Sequence, residues 1–473
     1  MQVPAPQPLA DDVTLTFCGA AGTVTGSRYL LTVGDSSYLL DCGLFQGPPR
    51  IEQRDWEKLP FEPSELTAVI LSHAHIDHSG FLPRLITLGF EGPVFATPAT
   101  CELLALLLPD SGHLQEEQAR YANKRGYSRH RPAQPLYTVD EATAALDYLR
   151  PLPVDQEVRI DEHLAITTHR AGHILGSSVL ECHITSGRVV LTLVFSGDLG
   201  RFRGEFMRPP ALLPAADYVL VESTYGNRLH PTTPARDLLE GVVKESLARG
   251  GMLLIPAFAV DRVQQLLYYL RNLQQEGRIP ALPIYVDSPM AVDATAIYGR
   301  YRQDLNPAVV LPGGAESAAS QGAPIHLVRS LEGSKALNER PGPGIIISAS
   351  GMCEGGRILH HLAKRLPDPR NTILLVGYQA KGTRGRALVE GAPVIRLLGR
   401  QVPVAAAVRS IDALSAHADR DDLITWLRGF KTTPRMTFAI HGEDEARAGL
   451  LTAIRQQLGW PVSAPDYLES VRL

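Results

Sequence analysis

The chain has 473 residues, enough for two or three domains at roughly 150 residues each. With 44% hydrophobic and 20% charged residues it has the balance of a folded globular protein, which excludes disorder as its main state. A formal charge of -4 argues against coating nucleic acid by bulk charge and leaves room only for a local basic groove.

Residues 13–20, 27–34 and 36–43 alternate, or run apolar with β-branched and aromatic residues, and are predicted strands joined by glycine-bearing turns. A further strand, TAVIL, runs directly into SHAHIDHSG (72–80); a helix-like stretch and a strand at 93–100 follow. Strands are predicted again at 163–173, 177–185, 189–198 and 217–224. From residue 234 the character changes. Helix 234–250, strand 251–259, helix 261–277, strand 281–290 and helix 292–303 lead to a Pro/Gly/Ala/Ser-rich loop at 311–325. Strand 343–351, helix 355–366 and strand 371–379 complete the alternation that a mainly parallel sheet requires. The final segment starts near residue 404, includes a strand at 437–442 and resembles the first half. The fold class is α/β, with domains expected at 1–228, 229–405 and 406–473.

No window of about 18 uncharged apolar residues is present, so no membrane partner is expected. The opening MQVPAPQPLADD has neither a basic nor an apolar signal region, which leads to the expectation of a cytoplasmic protein. The five cysteines are scattered and form no CxxC pair, so any metal must be held by histidine and carboxylate.

The densest chemical signal is His73-Ala74-His75-Ile76-Asp77-His78, at the end of an apolar strand. Three imidazoles and a carboxylate this close are unfavourable to bury unless paired or metal-bound. The donor types suit zinc first, with manganese or iron less favoured. One tetrahedral ion with an open position needs about three protein ligands, so four donors hint at two ions. His173, Asp198 and His441 each stand where a strand runs out and are candidates to complete them; singly, each could equally be a cap or turn residue.

HxHxDH followed by an isolated His, an Asp and a late His resembles the metallo-β-lactamase fold. The resemblance implies an αββα sandwich holding two metal ions. His73, His75 and His173 match its first site, Asp77, His78 and His441 its second, and Asp198 the carboxylate shared by both. Asp41 resembles the family carboxylate that orients the HxHxDH loop. The long interval between Asp198 and His441 resembles the β-CASP subgroup, RNA-processing nucleases that include the pre-mRNA 3'-end cleavage enzyme. Glu222 in VLVESTYGNR and His417 in SIDALSAHAD match subgroup motifs, as do PAFAVDR (256–262), SASGMCEGGR (348–357) and YQAKGTRGR (378–386). Many relatives have glycine where this chain has Asp261.

The resemblance implies two-zinc (or manganese) hydrolysis of RNA phosphodiesters, leaving 5'-phosphate and 3'-hydroxyl, by endonuclease and possible 5'-3' exonuclease action. Asp198 would hold the metals and orient water. His417 would be the general acid, kept protonated by Glu222. A site between two domains favours single-stranded RNA, whose flexible backbone and splayed bases can thread a cleft. The loop at Ser350 and Gly351 and the cations Arg262, Arg357, Lys381 and Arg384, all at strand–helix junctions, are the expected phosphate contacts. A homodimer is expected from relatives. The competing functions are a metallo-hydrolase of a small ester, thioester, lactam or phosphodiester, and a non-catalytic RNA-processing scaffold.

Overall fold

The computed structural model describes residues 12–125, 132–311, 323–377, 379 and 382–473. Most of the loop expected at 311–325, and Lys381, lie outside the described residues. The chain divides into two units, residues 1–229 with 416–473, and residues 230–415.

The first unit stacks two seven-stranded sheets. In one, Val13–Phe17, Tyr29–Val33 and Ser36–Leu40 pair antiparallel, and Leu66–Ile70, Val94–Ala96 and Leu149–Pro151 extend them in parallel. Ser470–Arg472 closes the other edge against Val13–Phe17. In the second sheet, Glu157–Arg159, Leu164–Arg170, Ser178–Ser186 and Val189–Phe195 form an antiparallel meander. Tyr218–Glu222, Met436–Ile440 and Val462–Ser463 then add in parallel.

Period-two alternation in VTLTF and YLLTV turns Leu15, Phe17, Tyr29 and Leu31 onto one face, where they meet Leu193, Phe195, Phe438 and Ile440 of the opposing sheet. The Phe17 and Phe438 rings lie 5.3 Å apart and those of Tyr29 and Phe195 5.2 Å. Each such fully buried side chain contributes about 1.5–3 kcal/mol. Helices Arg420–Leu427 and Asp444–Gln457 cover the outer face of the second sheet, packing Leu423, Trp426, Leu450 and Ile454 on Val179, Val194, Val219 and Val221. Helix Pro98–Arg125 packs beside Leu149–Pro151 of the first sheet. The layers are therefore αββα.

The second unit is built on a six-stranded, wholly parallel sheet in the order Ile325–Leu327, Ile284–Val286, Gly344–Ser348, Met252–Pro256, Thr372–Val376, Ala407–Ile411. MLLIP, GIIIS and TILLV are buried along their whole length, as a sheet with both faces covered demands. Helices Arg262–Gln275, Pro289–Arg300, Ile358–Arg365 and Arg384–Val389 alternate with these strands. Ser288 caps the second of these helices, and Thr383 the fourth.

One expectation is corrected here. Strand Ala407–Ile411, assigned from the sequence to the final segment, pairs in parallel with Thr372–Val376 and belongs to the second unit. Its edge position in that sheet is set by long-range pairing, which local composition does not reveal. No helix among the described residues is long and apolar enough to cross a membrane.

Candidate metal centre

Strand Leu66–Ile70 ends in Leu71 and Ser72, after which the chain turns through His73–His75 into the one-turn helix Ile76–Ser79. This loop is pinned from behind by Asp41. Asp41 is fully buried, with a left-handed backbone (φ +58°) that breaks it out of its strand. Its carboxylate accepts from the Ser72 amide at 2.7 Å, Ser27 Oγ at 2.9 Å, Ser72 Oγ at 3.0 Å and His78 Nδ1 at 2.6 Å. A carboxylate only accepts, so His78 carries a proton on Nδ1 and turns Nε2 to the site. Burial works against charge on the ring, but Asp198, Asp41 and Asp77 hold it well above its ordinary value, so Nε2 gives its lone pair when a cation displaces its proton. Gly43 lets the loop seat: a Cβ there would lie 1.6 Å from the Asp77 carbonyl oxygen.

Two groups of donors converge. His73 Nε2 and His173 Nε2 lie 3.1 and 3.2 Å from His75 Nδ1. His78 Nε2 lies 3.1 Å from His441 Nε2, and Asp77 Oδ2 is 3.9 and 3.6 Å from those two nitrogens. Asp198 stands between the groups. Its Oδ2 is 3.6 Å from His73 and 3.5 Å from His173; its Oδ1 is 3.4 Å from His78 and 3.3 Å from His441. All seven expected positions are thus brought together, within the first unit. His441 reaches the site because its own backbone is left-handed (φ +47°), while its amide donates to Ala20 O.

These donors fit cations. Ligands about 2.0–2.1 Å from a tetrahedral zinc sit roughly 3.3 Å from one another, the spacing found here. Asp198 Oδ1 is buried with no hydrogen-bond partner among the described residues, an unfavourable state that a cation relieves. Burial pushes the His73 and His173 rings well below their ordinary value and His75 down to about 4, leaving neutral imidazoles with lone pairs to give. Burial works against charge on Asp198, but His441, His78 and His417 outweigh it and hold the carboxyl well below its usual range. Cys42, beside Asp41, has its thiol pushed up to about 12 by burial and offers no thiolate.

Glu222 and His417 meet at the rim of this cluster. Glu222 is fully buried at the end of strand Tyr218–Glu222; its Oε1 accepts the Leu199 amide at 2.7 Å and lies 3.3 Å from His417 Nδ1. His417 lies outside helix Arg420–Leu427, held by its neighbours: the Ala418 amide donates to Leu199 O, and Asp419 caps the helix through the Asp421 and Asp422 amides. Burial opposes charge on His417, yet Glu222 and Asp198 raise its pKa to about 9. Its ring is 4.5 Å from that of His173.

The expected phosphate contacts lie in the second unit and take a different form. Arg357 donates to buried Asp287 at 2.7 Å and to the carbonyls of Val328 and Arg329. Arg384 donates to Glu354 Oε2 at 2.8 Å and to the carbonyls of Cys353, Glu354 and Arg396. Arg262 donates to Gln265. Ser350 Oγ accepts the Glu354 amide, and Gly351 O accepts Gln379 Nε2. Arg357 and Arg384 therefore staple loops, because a buried carboxylate and uncapped carbonyls need their donors. Asp261 adopts φ +69°, a conformation that glycine enters without strain.

Sequence reasoning gave no role to Ser27 and Ser72, which share Asp41, or to Thr224, whose Oγ1 lies 3.2 Å from His441 Nδ1. Ser72 could have been found from its place just before the cluster; Ser27 carries no local signal.

Comparison with known proteins agrees with this geometry. Residues 21–241 match the metallo-beta-lactamase superfamily, residues 263–388 the Beta-Casp domain, and residues 401–465 the Zn-dependent metallo-hydrolase RNA specificity domain. The chain is 39% identical over 443 residues to Ribonuclease TTHA0252 of Thermus thermophilus, covering 93% of this chain and 96% of that one. It is 32% identical to transcription termination factor FttA of Methanosarcina mazei, covering 98% of this chain and 72% of the factor. A solved structure from Enterococcus faecalis, of unknown function, is alike in fold alone, with a TM-score of 0.57 at 12% identity over 98% of this chain and 100% of its own. The chain belongs to the β-CASP nucleases of the metallo-β-lactamase superfamily, a family of metal-dependent hydrolases of RNA.

Proposed function

We propose that this protein is a two-zinc ribonuclease that cuts single-stranded RNA internally, with 5'-3' exonuclease action also open to it, and leaves 5'-phosphate and 3'-hydroxyl ends. One observation carries the assignment: the two oxygens of Asp198 face two separate histidine groups. His73, His75, His173 and Asp198 would hold one ion, and Asp77, His78, His441 and Asp198 the other, with manganese able to replace zinc. Bound there, the pair supplies an acidified water and neutralises phosphate charge.

The chain's own residues do the rest. Asp198 fixes the spacing of the two donor groups. Asp41 holds His78 in the tautomer that donates its lone pair inward. Glu222 accepts from His417 Nδ1 and favours the imidazolium. His417 can then give a proton to the departing sugar oxygen, which is a poor leaving group without one. The same reading makes the protein cytoplasmic, where its five unpaired cysteines stay reduced, and a homodimer, which light scattering checks.

The test is cleavage of end-labelled single-stranded RNA by zinc-replete and chelated protein, with metal content measured alongside. Asp198→Ala is expected to lose both cleavage and metal; His417→Ala is expected to lose cleavage and keep its metal. Full cleavage by both variants overturns the assignment.

A further inference from the structure

We infer that Phe258 is a stacking platform for one base of the RNA, a nucleobase subsite carried by the second unit. Phe258 is 45% exposed. Among the described residues of that unit it is the only Phe, Tyr or Trp with an exposed ring: Tyr268, Tyr269, Tyr285 and Tyr298 are buried and Tyr301 is half-buried. An isolated exposed aromatic is ordinary on a protein surface. The position of this one is not.

Phe258 follows strand Met252–Pro256 by two residues, at the carboxyl end of a wholly parallel sheet, where open α/β sheets take their ligands. Pro256 is in register with Ser348, and the Ala257 amide donates to Ser348 O at 3.1 Å. The phenyl ring is thereby set beside the loop Ser348–Gly351. It lies directly on Gly351: a Cβ there would be 3.0 and 3.1 Å from two ring carbons. The Gly351 carbonyl is in turn held by Gln379 Nε2 at 3.2 Å. The ring thus rests on a fixed backbone and keeps nearly half of its surface for a partner, so little side-chain freedom remains to be lost on binding.

Among the described residues, Arg357 and Arg384 do not compete for the role. Both turn their guanidinium groups to internal acceptors. At this rim the second unit offers an apolar face, and the part of RNA that matches an apolar face is the base. Stacking on phenylalanine tolerates any of the four bases, so the subsite would position a strand and would not read its sequence.

This inference rests on RNA being the substrate, and the test separates the two. Steady-state cleavage of a labelled single-stranded RNA is measured for the wild type, Phe258→Ala and Phe258→Trp, with thermal melts to establish folding. The RNA is also supplied as a series carrying one abasic residue at each position in turn. Phe258→Ala is expected to raise KM about 5- to 150-fold, the range that one stacked base is worth. Phe258→Trp is expected to keep KM near the wild-type value. At one abasic position the wild type should suffer the same rise, and Phe258→Ala should suffer none beyond its own. RNA cleaved by Phe258→Ala with KM within twofold of the wild type, or losses that multiply at every abasic position, overturn the base subsite alone. A wild-type protein that neither binds nor cuts single-stranded RNA overturns the subsite together with the substrate beneath it.

Discussion

His78 and Asp41 share a 2.6 Å hydrogen bond, ring Nδ1 to carboxylate Oδ2, with both side chains out of solvent. Among the described residues the carboxylate is the only strong acceptor at that ring nitrogen, and it also holds the Ser72 amide at the root of the histidine loop. Asp41→Asn keeps the size and tolerates the left-handed backbone, but it leaves His78 free to choose the other tautomer. We expect metal affinity to fall about 10- to 100-fold, measured by competition with a chelator of known strength.

Glu222→Gln removes the negative charge beside His417 Nδ1 while keeping a group that can accept the Leu199 amide. A general acid contributes about 10²–10⁴ in rate, and weakening its charge partner should forfeit part of that. The expected result is a fall in kcat of at least about tenfold with bound metal unchanged. RNA with a 3'-bridging phosphorothiolate, whose sulfur departs without a proton, should be cut nearly as fast by the variant as by the wild type.

Arg357→Lys is predicted to destabilise the protein without changing its metal content. Lysine cannot reproduce a planar fork shared among Asp287 and two carbonyls, and Asp287 is fully buried. His361 and Ser334 still reach that carboxylate, at 2.7 and 2.6 Å, so the loss should be below that of a fully orphaned charge: about 2–3 kcal/mol by denaturant titration.

His169 lies 2.9 Å from Asp155 and 2.8 Å from Glu181. Burial works against its charge, but the two carboxylates prevail and hold the ring above its ordinary 6.5. The folded state then binds the proton more tightly than the unfolded chain. The stabilisation is complete below about pH 6.5 and is lost as pH rises through the higher folded value. His169→Gln should therefore lower Tm at pH 6, by the equivalent of about 1 kcal/mol, and by clearly less at pH 9. Melts of both proteins across that range check it.

What could be read from the sequence differs from residue to residue for physical reasons. His73 to His78 stand out because a continuous apolar run stops abruptly at four donors, a pattern with few other uses. His173, Asp198 and His441 carried too little local signal singly; only the family pattern joined them, since their meeting depends on two sheets stacking and on a left-handed turn at His441. Ser27 was out of reach because its partner is chosen by the backbone angle of Asp41. Arg357 looked like a phosphate contact, for an arginine at a strand–helix junction reads the same whichever way it turns. The buried Asp287 decides the direction, and its burial is a property of the sheet. Strand Ala407–Ile411 was placed with the wrong segment because a short apolar strand does not say which neighbour it will join.

His417 and His441 come from the part of the chain made after the whole second unit, whereas His73, His75, Asp77, His78, His173 and Asp198 precede it. On the function proposed above, a ribosome that stalls anywhere inside residues 230–415 leaves a polypeptide that carries His73, His75, His173 and Asp198 but lacks His441 and the proposed acid, His417. On that reading such an unfinished copy would be inactive until the segment carrying His417 and His441 has been added.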